Sequence, residues 1–104
     1  MNKTYHAKGL VYGNLWGGGR GAYSARPLKN FQSKKELISE AERMLKEGSL
    51  DSRMGYESLI GARLVIKEVE TITQNKKNFS RSEFNVVFIG KLTQKEKRFL
   101  SSCE

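Results

Sequence analysis

At 104 residues the chain should hold one hydrophobic core, because two halves would each approach the size at which a core becomes marginal. Apolar residues make up 38% of it and charged residues 29%, which argues against wholesale disorder, and no run nears the roughly 18 consecutive apolar residues of a membrane span. The net charge of +8 is segregated, with +7 over Met1–Lys35, −3 over Glu36–Asn75 and +4 over Lys76–Glu104, so positive potential should gather on the elements built from the two ends and attract polyanions or acidic protein surfaces.

The N-terminus lacks the apolar stretch of a signal peptide, and Cys103 is the single cysteine. An internal disulfide is therefore excluded, and a reducing, cytoplasmic location is expected. Thr4 to Leu15 alternates as a strand, with Tyr5, Ala7, Gly9 and Val11 on one face and His6, Lys8, Leu10 and Tyr12 on the other. Arg20 to Leu28 would return as its hairpin partner, interrupted or ended at Pro27. Between them Trp16-Gly17-Gly18-Gly19 forms the tip. Ser33-Lys34-Lys35-Glu36 has the spacing of a capping box, and Leu37, Ile38, Ala41, Met44 and Leu45 then recur on one helical stripe until Gly48 stops it.

Gly48 to Ser58 reads as a connection, pinned by Leu50, Met54 and Tyr56. Leu59 to Thr73 is a long strand, with Ile60, Ala62, Leu64 and Ile66 alternating against Gly61, Arg63, Val65 and Lys67; its far end shifts the apolar phase, as a bulge or a projection beyond the core would. Gln74 to Asn78 turns the chain, and Glu83 to Ile89 returns with Phe84, Val86 and Phe88 on one side. Thr93-Gln94-Lys95-Glu96 repeats the capping-box spacing and opens a short helix, with Leu92, Phe99 and Leu100 to dock it. The order predicts an α+β domain, β-β-α-β-β-α, in which a four-stranded, mainly antiparallel sheet carries the long helix on one face.

Catalytic patterns are scarce. His6 is the one histidine and sits in an alternating strand, Cys103 has no histidine near it in sequence, and most of the acids are explained by helix surface, caps or strand edges. A carboxylate cluster from Asp51, Glu57 and Glu68 is the nearest approach to a metal or hydrolytic site. The glycine-rich segment around Trp16 lacks the Gly-Lys-Ser/Thr and the following helix that a phosphate loop needs. No cofactor or metal is expected, and binding is favoured over catalysis. Trp16 and Arg20, with Tyr23, Arg26, Arg53 and Tyr56, are candidates for a protein interface. Lys8, Arg20, Arg26 and Lys29, with Lys76, Lys77 and Arg81 from the second turn, are candidates for phosphate contacts. Exposed strand edges would permit a homodimer.

Two segments, Tyr12-Gly13-Asn14-Leu15-Trp16-Gly17-Gly18-Gly19 and the stretch from Gly48 to Ala62, give the chain the look of an orphan protein encoded by a bacteriophage or other mobile element. In style it resembles the anti-CRISPR proteins. They share no common motif, so the resemblance carries over no functional residue. It implies a compact binding protein that occupies a surface of a host nucleoprotein complex, such as a CRISPR effector, with a direct nucleic-acid-binding module as the alternative.

Overall fold

The computed structural model describes residues 2–14, 19–50 and 58–103. Its elements run β1 (Asn2–Asn14), β2 (Arg20–Ser24), β3 (Leu28–Phe31), α1 (Lys34–Glu47), β4 (Ser58–Gln74), β5 (Lys77–Gly90) and α2 (Gln94–Ser102). The strands form one antiparallel sheet four positions wide, β2-β1-β4-β5, with β3 following β2 along the same side of β1. The expected second strand, Arg20 to Leu28, ends at Ser24, and β3 begins only at its last residue and runs on to Phe31. Pro27 lacks an N–H for the ladder, so pairing lapses there and resumes at Leu28. The fold is the α+β arrangement anticipated from the pattern.

Strand alternation sorts the residues onto two faces. Ala7, Gly9 and Val11 lie opposite Ile66, Leu64 and Ala62, and these in turn lie opposite Asn85, Val87 and Ile89. This is the front face, and α1 covers it with Leu37, Ala41, Met44 and Leu45, all buried. Leu37, Ala41, Val11, Ala62 and Leu64 have no exposed surface; each fully buried Leu or Val stabilises the fold by about 1.5–3 kcal/mol. Ser33 caps α1 by accepting from the Glu36 amide at 3.4 Å. Gly48 ends it in the left-handed region, φ 78°, and the chain folds back so that the amides of Ser49 and Leu50 both reach the Met44 carbonyl. Leu50 is then fully buried, as the pinning expectation required.

β4 and β5 pair without interruption from Gly61↔Gly90 to Gln74↔Lys77. Asn75 and Lys76, with φ 52° and 62°, make a two-residue turn of the kind that matches strand twist, tighter than the five-residue tract suggested. The phase change at the far end of β4 is a projection rather than a bulge. The hairpin runs on past the core, and the first ten residues of β5 are exposed. The register shift of β4 lies at its other end, where Ile60 is skipped in the pairing with β1.

Candidate nucleic-acid interface

The back face of the sheet is only half covered. α2 lies across the end built from Tyr12, Gly61 and Phe88. Thr93 and Glu96 complete its capping box, Leu100 is fully buried, and the Phe99 ring meets Tyr12 edge-on at 5.8 Å. Gly61 makes this close seat possible, because a Cβ there would stand 2.6 Å from Leu92 Cγ. Beyond α2 the face is open. Phe84 is 65% exposed and Val86 50%, although both belong to the apolar alternation that the sequence shows in β5.

That open half is lined by His6, Lys8, Pro27, Lys29, Val65, Lys67 and Phe84 around a shallow groove of about 390 Å³. The register explains the grouping. Lys67 faces His6 on one side and Phe84 on the other, Lys8 faces Val65, and Val65 faces Val86. The Lys67 ammonium lies 5.9 Å from the centre of the Phe84 ring, a cation over an aromatic face. His6 is oriented by Thr4, whose Oγ1 lies 3.4 Å from Nε2.

The acids of the same strands are sent the other way. Glu68 and Glu70 alternate onto the front side, where Lys3 approaches them at 3.0 and 4.0 Å. The hydrogen bond to Glu68 and the two carboxylate charges hold the Lys3 ammonium above its ordinary pKa. Among the described residues that line the groove there is no acid, so three lysine charges there stand without a local counter-charge.

The sequence candidates scatter across the molecule. Lys8 and Lys29 meet in the groove. Arg20 lies at the opposite end of the back face, in a cleft with Tyr12, Thr93 and Phe99, and its Nη1 donates to Glu96 Oε2 at 3.5 Å. Arg26 donates from Nε to the Ser49 carbonyl at 3.2 Å and from its backbone to the Leu50 carbonyl, tying the segment after α1 to the sheet. Tyr23 pairs with Val11 on the front face and packs against the core. Lys76 and Lys77 are at the hairpin tip, and Arg81 stands beside Glu83 at 3.2 Å. Trp16, Arg53 and Tyr56, together with Asp51 and Glu57, lie outside the described residues. Lys67, Val65 and Phe84 escaped the sequence reading because only the register brings them beside Lys8. The visible signal was Val65 and Lys67 alternating against the core residues of the same strand.

Among the described residues no three His, Cys, Asp or Glu side chains gather as a metal site, and no helix is long and apolar enough to cross a membrane. In class, the chain is an α+β protein with an antiparallel sheet, one sheet face sealed by a helix and the other half open. No protein-family model, curated protein or solved structure matches it.

Proposed function

We propose that this chain is a non-enzymatic binding module that takes single-stranded nucleic acid on the open half of its back face. The reading rests on Phe84, exposed on the β5 side of a groove that Lys67, Lys8 and Lys29 continue across the sheet. Every base presents a π-face, and stacking on an aromatic side chain contributes about 1–3 kcal/mol per base, while lysines neutralise the neighbouring phosphates. A single strand suits this surface better than a duplex. Major-groove readout needs a protruding helix or ribbon that offers side chains to base edges; α1 is committed to the core, α2 lies flat on the sheet, and the β4–β5 ribbon that does project carries its tip at Asn75 and Lys76, away from the groove. Binding of a fluorescein-labelled single-stranded oligonucleotide, followed by anisotropy, tests the reading. Phe84→Ala should weaken binding by about tenfold while thermal stability stays close to that of the parent chain. Absence of binding at low salt would overturn it.

A second reading has the chain inhibit a host nucleic-acid-handling complex through a protein contact, the style implied by the phage resemblance. It is favoured by the cleft at the other end of the back face, where Arg20 and Tyr12 flank Phe99, itself 45% exposed. Capture of a host protein that survives nuclease treatment and is lost in Phe99→Ala would favour this reading over the first.

A further inference from the structure

The two edges of the sheet are built differently. One edge is β2 and β3, of 5 and 4 residues, broken at Pro27, which is how proteins blunt an edge against unwanted pairing. The other is β5, a strand of 14 residues that, among the described residues, pairs only with β4. Its first ten residues are exposed. A long unpaired row of backbone N–H and C=O groups at an edge is a template for another strand.

The turn fixes which groups point outward. In a two-residue hairpin loop the flanking residues, here Gln74 and Lys77, form a mutually hydrogen-bonded pair. The odd-numbered residues of β5 therefore bond to β4, and Asn78, Ser80, Ser82, Phe84 and Val86 direct their backbone groups to the free edge. An antiparallel pairing of β5 with itself must place one residue opposite its own copy. Centring on Arg81 or on Glu83 sets like charges face to face. Centring on Ser82 sets Arg81 opposite Glu83 twice, in the close, non-hydrogen-bonded positions where opposite charges attract best. The paired stretch then runs from Lys77 to Val87, clear of the Gly90 end against which Leu45 of α1 packs.

We infer that β5 is a dimerisation edge, and that its occupant is β5 of a second copy of this chain, antiparallel and centred on Ser82. The two-fold axis stands perpendicular to the sheet, so the four-position sheet becomes eight positions wide and both open back faces look the same way. Phe84 of each copy lies opposite Ser80 of the other, and the two lysine grooves flank the seam.

Sedimentation equilibrium of the full chain, from roughly 10 to 500 µM, reads the result directly. The expected mass is twice 11.8 kDa at the upper concentrations. Ser82→Pro removes an outward N–H without touching the β4 ladder, so it should give a folded monomer by circular dichroism and mass. Arg81→Glu should raise the dimer dissociation constant by roughly tenfold or more. The swap Arg81→Glu with Glu83→Arg, which restores opposite charges across the seam, should recover the dimer. A monomer throughout the range, or a dimer indifferent to both Arg81→Glu and Ser82→Pro, would overturn the inference. Neither result depends on whether the chain binds nucleic acid.

Discussion

Replacing Lys8, Lys29 and Lys67 together by glutamine isolates what the groove contributes electrostatically. All three side chains are exposed, so the substitutions leave the core untouched. For single strands the slope of log affinity against log salt is about −0.7 for each phosphate neutralised. Three lysines therefore account for a slope of about −2, and a rise from about 50 to about 200 mM salt costs about 20-fold in affinity through them alone. The triple variant should bind a labelled single-stranded oligonucleotide more weakly at low salt, with a slope flatter by about 2. A control that removes equal charge elsewhere, Lys35→Gln and Lys46→Gln on α1 with Lys76→Gln at the hairpin tip, should alter the slope by less than half as much. An unchanged slope in the groove variant, or an equal change in the control, would refute the assignment of phosphate contacts to this face.

Three further predictions concern the scaffold. Leu100→Ala, at a fully buried position, should lower stability in urea by about 2–5 kcal/mol; a loss below about 1 kcal/mol would mean that α2 is not held by this contact. Gly48→Ala meets no neighbouring atom within 4 Å but must hold φ near +78°, at a cost of about 1–2 kcal/mol, which a thermal melt should register as a fall of several degrees. Glu40 is hydrogen-bonded by Arg43, which also pairs with Glu47 at 2.7 Å, and this bond holds the Glu40 carboxyl below the usual glutamate range. A lowered folded-state value means that its contribution is complete above the unfolded value of about 4.3 and is lost as pH falls through the depressed one. A carbon-13 titration should show the low midpoint, and Arg43→Met should return it to normal.

The elements whose code is local were legible in the sequence. Ser33 and Gly48 bracket α1 because a cap hydroxyl and a left-handed glycine act within one turn of chain, and Thr93 with Glu96 opens α2 for the same reason. The alternation in β1 and β4 marked which residues would share a face. What alternation leaves open is which strand lies beside which, and that is decided by long-range pairing. Lys67 meets His6 and Phe84 only through two ladders that join residues far apart in sequence. Composition likewise placed Arg20, Arg26 and Lys29 in one basic hairpin, whereas Pro27 divides that strand and Arg26 is spent on the Ser49 carbonyl. The alternation set Phe84, Val86 and Phe88 on one side of the strand but could not say how much of that side is covered; Phe84 and Val86 are exposed because α2, at 9 residues, is too short to span the face.

Strand β4 acts as an electrical partition. Its glutamates, Glu68 and Glu70, share Lys3 on one side, while among the described residues that line the groove Lys67 and its neighbours have no acid beside them on the other. Both sets of charges belong to the two faces of one sheet, so the imbalance lies across a short distance and a polyanion's field would exert a torque on it as well as an attraction. On the proposed function, such a torque would turn the open side toward the polymer before contact and favour encounters in the productive orientation.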